Sequence, residues 1–408
     1  MRVMRPRLQL TAALCAIVAC STVLALANTS QGDYPRDAGP AMNSLLDGDV
    51  SAALAQQPLM GSFSLIVRLP FSALARAVGG DDLLVYQLGT IPCLIATGLL
   101  GLALAGRMRR RGQPTAACVA AAALCLVNPL TWEAIRLGHP EELLGGALCV
   151  GAVLAALRAR VVPAAVLLGL ALATKQWAVI AVLPVLAAAP TRRVRLFAVA
   201  TGIALLLTVP LMLGNPGSFS GATEQAAWAG ERVHPFNAVW PVAVPEDRVI
   251  SIGDGQSLIT VRVLPRWLAG LMHPLIVLLA VPLTLLWWTS RRRTPDDVLA
   301  LLALLFLLRC LLDPVNNAYY HVPFLLSFVA WEGLTRRGMP VMSVLSGAAI
   351  YYTIYKAGWV DNIAARNALY LLSTVPVGVW IAVRLYAPSR EWRRRAWPVP
   401  VSRAPATR

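Results

Sequence analysis

Long runs of apolar residues, separated by short polar turns in which arginines cluster, set the pattern of this chain. Such runs predict helices that cross a bilayer, because a helix satisfies its own backbone donors and acceptors where no water can. The first run, Gln9 to Ala27, follows Arg2, Arg5 and Arg7. Arginines favour the cytoplasmic side, so the N-terminus is expected inside. Ala25-Leu26-Ala27 has the form of a signal-peptidase site, but the run exceeds the usual length of a signal peptide's apolar region and reads as a retained span.

Runs follow at Leu83 to Gly106, Thr115 to Leu130 and Leu143 to Leu157, the first ending in Arg107, Arg109, Arg110 and Arg111 and the last in Arg158 and Arg160. Val162 to Ala189 has arginines at both ends, since Arg192, Arg193 and Arg195 follow it. One straight helix cannot start and finish on the same side. A hairpin of two short helices is therefore expected, turning near Thr174, Lys175 and Gln176 with Lys175 at its tip.

Leu196 to Leu213, Leu268 to Trp288, Val298 to Leu312, Val322 to Leu334, Val341 to Tyr355 and Ala368 to Leu385 complete the set. The reading is an all-α polytopic membrane protein of about 12 membrane segments, including the hairpin, with N and C termini cytoplasmic. It forms one integral membrane domain over residues 1–388, with large outer loops at 28–82 and 214–267 and a basic, Pro-rich cytoplasmic tail at 389–408. Within the first loop, Leu59 to Val78 carries Arg68 and Arg76 among apolar residues. It fits either a helix lying flat at the headgroups or a packed loop helix.

Composition agrees: of 408 residues, 57% are hydrophobic and 14% charged, too apolar for a water-soluble core. The net charge of +16 sits in the turns between spans, where it sets topology and does not call for nucleic acid. In this topology about 16 of the 20 acidic residues fall on the outer side. Acidic residues contribute little to orientation, so their gathering needs a chemical reason. The seven cysteines all fall in apolar runs and read as small core residues. There is no phosphate-binding loop, internal repeat, Ser-His-Asp signature or metal-spaced His or Cys cluster.

Asp33 follows the first span by six residues, in Gly32-Asp33-Tyr34-Pro35-Arg36-Asp37, and Asp47-Gly48-Asp49 comes after it. A carboxylate just above the membrane is placed to take a proton from a hydroxyl; its ordinary alternative is a helix cap. The spacing from Asp33 to Gly48-Asp49 resembles the first outer loop of C-type glycosyltransferases, in which the acidic residue soon after the first span is the candidate base. Gly138-His139-Pro140-Glu141-Glu142 is a second block, followed by Leu168 to Lys175 and Pro184. A third is Leu312-Asp313-Pro314-Val315-Asn316-Asn317-Ala318-Tyr319-Tyr320-His321-Val322-Pro323. Together they resemble glycosyltransferase family 87, the actinobacterial polyprenol-phosphate-mannose-dependent mannosyltransferases.

The resemblance implies an inverting α-mannosyltransferase at the outer face of the plasma membrane. It would use a polyprenyl-phosphate sugar donor and a glycolipid or glycan acceptor of the cell envelope, with no cofactor. Asp33 and His321 are the catalytic candidates. Lys175 and Arg309 are the candidates for holding the donor phosphate, whose growing charge needs cations. Asp37, His139, Glu141, Asp313, Asn316, Tyr319, Tyr320 and His234 are the substrate-binding candidates. Each has an ordinary alternative: Lys175 snorkelling to the interface, Glu141 in a helix first turn, Asp313 as a cap, and His321 or the tyrosines in an aromatic belt. Tyr34 follows Asp33 where some relatives of this fold carry a second acid, so no metal-binding carboxylate pair is expected. An arabinofuranosyltransferase of the same fold, a non-catalytic member of that fold, and a lipid-linked sugar flippase or transporter are the rival readings. A transporter would place its ionisable groups near the membrane midplane, whereas here they collect at the outer rim.

Overall fold

The structure is a computed structural model, and it describes residues 6–56, 61–227, 232–252, 255–290, 294–360 and 362–386. The basic tail, Arg2, Arg5 and the Arg291 to Arg293 cluster lie outside the described residues. Helix α1 spans Pro6–Ala27, and the first outer loop holds α2 (Tyr34–Asp37), α3 (Gly39–Leu46), α4 (Val50–Ala55) and α5 (Ser62–Ala77). Then come α6 (Asp82–Arg110), α7 (Thr115–Leu126), α8 (Pro129–Arg136), α9 (Glu141–Ala156) and α10 (Val161–Leu172). A tight turn and a 3-10 segment at Gln176–Ala181 lead into α11 (Val182–Ala188), α12 (Arg193–Gly214) and α13 (Pro216–Ala227). The second outer loop carries β1 (Arg232–Val233), β2 (Val244–Ile252) and β3 (Gly255–Val263), an antiparallel sheet in the order β1-β3-β2. Helices α14 (Arg266–Thr289), α15 (Asp297–Leu312), α16 (Val322–Thr335), α17 (Val341–Tyr351) and α18 (Ile363–Tyr386) follow.

Every apolar run falls on a helix, and the run after Arg160 does fold as a hairpin: α10 climbs to Leu172, the chain turns at Ala173–Lys175, and α11 returns. Among the described residues, six helical stretches are long and apolar enough to cross a membrane: α1, α6, α7 with α8, α12, α14 and α18. The other helices are shorter. Helices α9, α15 and α16 are buried along most of their length. By contrast α12, α14 and α18 expose Leu206, Leu213, Leu278, Leu286 and Leu372. Large apolar side chains facing outward in a ring of helices are stable only against lipid, so the chain is a multi-pass membrane protein.

The arginine turns gather at one end of the bundle. Arg107 and Arg111 both pair with Asp296 (3.2 and 2.6 Å), and Gln113 donates to the carbonyl of Arg336. The Asp33 loop, the hairpin tip and the start of α16 lie at the other end. At α1, Ala25 is buried and the Gln87 amide donates to the carbonyls of Leu26 and Asn28. These contacts hold the stretch around the signal-like site within the fold.

One expectation changes, and one alternative is decided. The chain is mostly helical but not all-α, because Leu258 to Val263 pairs along its length with β2. Of the two readings of α5, the structure shows the packed helix: Arg68 is fully buried, and Ser72 donates to the carbonyl of Val85 in α6.

Candidate active site

Two glycines bring the first outer loop against the turn before α9. Gly32 (φ +50°) and Gly138 (φ +91°) both use left-handed backbone, where a side chain is strained. A Cβ on Gly138 would sit 2.5 Å from the carbonyl oxygen of Gln31, and one on Gly32 would meet the backbone of Leu137. The resulting close approach lets the Asp33 amide donate to the carbonyl of Leu137 (3.0 Å). Asp33 thereby lies beside His139.

From that contact a line of charges runs inward. His139 Nε2 lies 3.5 Å from Asp33 Oδ2, and its Nδ1 lies 3.0 Å from Glu141 Oε1. Lys175 Nζ sits 3.0 Å from the same Glu141 oxygen and 3.9 Å from Glu142 Oε1. Glu142 also accepts from Trp177 Nε1 (2.9 Å), and its other oxygen is 3.3 Å from Arg309 Nη1. The Arg309 guanidinium lies over the rings of Trp177 and Tyr320, and His139 stacks on Tyr319 at 4.3 Å between centroids. Glu141 and Glu142 are no ordinary first-turn acids, since both are buried. Taking such ions out of water costs several kcal/mol each and is sustained only by close opposite charges. With His139 protonated, the three acids and three bases of the line cancel.

The solvent end is the Asp33 carboxylate, which is 59% exposed. Asp33 stands before α2 but makes no side-chain capping bond, whereas Asp49 does cap α4 through Ala52 N–H. The His139 hydrogen bond, helped by the charges of His139 and Arg36, holds Asp33 below the usual carboxylate range despite partial burial. For His139, burial alone would favour the neutral ring. The bonds to Asp33 and Glu141 outweigh it and raise the imidazole to about 9. Asp37 is half-buried close by, and burial pushes its carboxyl up.

Of the residues expected to act, Asp33, His139, Glu141, Lys175, Arg309, Tyr319 and Tyr320 come together, with Asp37 within electrostatic reach. His321 does not. It is fully buried, its Nε2 is 2.8 Å from the Tyr370 hydroxyl, and its Nδ1 faces the carbonyls of Asn317 and Ala318. Asn316 bonds the same hydroxyl and the carbonyl of Phe236. Asp313 lies 3.5 Å from His273 and accepts from Val315 N–H, closing a turn. His234 contributes a backbone bond to the carbonyl of Pro314.

Trp177 and Arg68 belong to the site without having been singled out. Arg68 lies under Asp33's neighbour Tyr34, between the rings of Tyr34 and Tyr86 at 5.0 and 5.7 Å. None of its three guanidinium nitrogens has a hydrogen-bond partner, and neither has Glu141 Oε2, on which its charge acts. The sequence signal was an arginine among apolar neighbours on a short helix. Among the described residues, no group of three or more His, Cys, Asp or Glu side chains is placed to hold a metal ion.

Against known proteins, no curated sequence matches the chain. The crystal structure of ArnT from Cupriavidus metallidurans bound to undecaprenyl phosphate matches with a TM-score of 0.51 at 14% sequence identity. The match covers 94% of this chain and 77% of that chain, a likeness of fold. The family model described as glycosyltransferase family 87 matches residues 61–314, a stretch that holds His139, Glu141, Glu142, Lys175 and Arg309. That match takes in more than half of the sequence, and the chain belongs to glycosyltransferase family 87.

Proposed function

We propose that this protein transfers mannose from a polyprenyl-phosphate donor to a hydroxyl of a cell-envelope glycolipid or glycan, with inversion, at the outer face of the plasma membrane. The observation that carries this reading is the line of charges itself. An exposed carboxylate, Asp33, is joined through His139 and Glu141 to Lys175, a cation 14% exposed at the hairpin tip. Base and phosphate-holding cation thus share one rigid frame. The bound undecaprenyl phosphate of ArnT supports a polyprenyl-phosphate donor on this similar fold.

In the reaction, the acceptor oxygen bonds to the anomeric carbon while the bond from that carbon to the phosphate oxygen breaks. The lipid leaves as polyprenyl phosphate, and the acceptor proton passes to Asp33. Attack from the face opposite the phosphate turns a β-linked donor into an α-mannoside. Asp33 is a weak base held fully ionised, which suits a late proton transfer, when the acceptor oxygen has become acidic. Lys175 meets the charge growing on the phosphate. Arg309 is buried and acts by fixing Glu142. His321 has no part in this centre and positions the Tyr319–Tyr320 turn through Tyr370. No metal ion is required.

The test is release of polyprenyl phosphate by purified protein in lipid, with mannosyl and arabinofuranosyl donors compared in excess chelator. Release from the mannosyl donor alone is expected. Release from the arabinofuranosyl donor alone would reassign the sugar, and chelator-sensitive release would end the metal-free scheme.

A further inference from the structure

At the arginine-rich end, α6, α9 and α10 enclose a cavity of about 370 Å³, within the size range of ligand sites. Its walls include Ala96 and Ala103 of α6, Gly151 of α9 and Leu167 of α10, and its mouth carries Arg158 and Arg160. The small side chains leave the space. Leu99 of the same wall is 44% exposed, so the cavity is open towards the surrounding lipid.

The mouth is built to hold an anion. The turn between α9 and α10 is tight: the amides of Arg158 and Arg160 both donate to the carbonyl of Ala155, and Ala159 takes left-handed backbone (φ +56°). This turn sets both arginines at one edge of the cavity. Arg160 also stands at the N-terminus of α10, the positive end of that helix's dipole. The charges acting on Arg158 are those of Arg110 and Arg160, with no acid among them. By contrast, nearby Arg107 is neutralised by Asp296. Uncompensated cations over an apolar cavity match a phosphate on a hydrocarbon chain.

We infer that this cavity binds an anionic phospholipid of the leaflet at the arginine-rich end, its phosphate on Arg158 and Arg160 and an acyl chain between α6, α9 and α10. The site lies at the end of the bundle opposite Asp33. It is distinct from the proposed donor site, and its occupant is a structural lipid.

Native mass spectrometry of delipidated full-length protein, titrated with phosphatidylglycerol and with phosphatidylcholine of the same chains, tests this. Phosphatidylglycerol should be retained preferentially. Retention should fall roughly tenfold or more in Arg158→Gln/Arg160→Gln. It should also fall in Gly151→Leu, which fills the cavity and leaves every charge in place. Arg109→Gln/Arg195→Gln, which removes two arginines elsewhere at the same end, should retain the lipid as the parent does. Equal loss in that control, or full retention in Gly151→Leu, would reduce the site to general surface charge. Displacement of the lipid by millimolar inorganic phosphate would show a free anion site and overturn the proposal. The two exposed-arginine changes do not disturb packing, so the test stands even if Gly151→Leu folds poorly.

Discussion

The cluster from Asp33 to Arg309 is made of charges, whereas the cluster around His321, Tyr370 and Asn316 is neutral, although residues 316–321 feed both. Tyr319 and Tyr320 cover the ions, while Asn316 and His321 turn away to α18. Both clusters are buried, yet only the charged one reaches solvent, through Asp33 and Lys175. A neutral buried cluster orders the chain at modest cost. A charged one costs far more to bury and is retained where chemistry needs charge.

The sharpest way to break this contrast is to unbalance the charged cluster. Glu142→Gln leaves Arg309 buried without its counter-charge and should destabilise the protein by about 3–5 kcal/mol. Adding Arg309→Met should restore much of that loss, as thermal melts of both variants in lipid would show. In the neutral cluster, Tyr370→Phe removes one hydroxyl and should cost about 1 kcal/mol. Polyprenyl phosphate release per folded molecule should remain near the parent's. A collapse of release would bring His321 back towards the reaction centre.

The smallest effect expected is on pH dependence. The His139 imidazole is raised from its ordinary 6.5 to about 9, so its stabilisation is complete below about 6.5 and lost as pH rises through about 9. Asp33 is shifted the other way, and its share is lost only as pH falls below the ordinary carboxylate value. The melting temperature should therefore fall by a few degrees more between pH 8 and 10 in the parent than in His139→Gln. Parallel curves would mean that the ring is neutral.

Much of this architecture was legible because lipid makes the sequence periodicity simple: apolar runs became helices and arginine turns collected at one end. The hairpin followed from arginines on both flanks of a single run. The sheet was hidden because β2 and β3 sit inside a long polar loop, where the alternation of Leu258 to Val263 is short. The place of Arg68 stayed open between two readings because a lone arginine among apolar residues looks the same whether it faces headgroups or two tyrosine rings. His321 was drawn into the site by adjacency to Tyr319 and Tyr320. A 3-10 turn sends successive side chains about 120° apart, so neighbours in sequence face different clusters. The partners of Lys175 stood in the second sequence block, but only their burial separates Glu141 and Glu142 from ordinary first-turn acids.

The central claim is that Asp33 is the base. Asp33→Asn keeps the side chain's size; Asp33 makes no capping bond and its carboxylate is 59% exposed, so loss of its charge beside His139 should cost little and leave the variant folded. Release of polyprenyl phosphate by the purified variant in lipid, beside the parent and Asp37→Asn, is the direct measurement. Asp33→Asn should bind donor and lose about 10²–10⁴-fold in rate, with Asp37→Asn far less affected. Full turnover by Asp33→Asn would contradict the account, and a dead Asp37→Asn alongside it would move the base four residues along the loop.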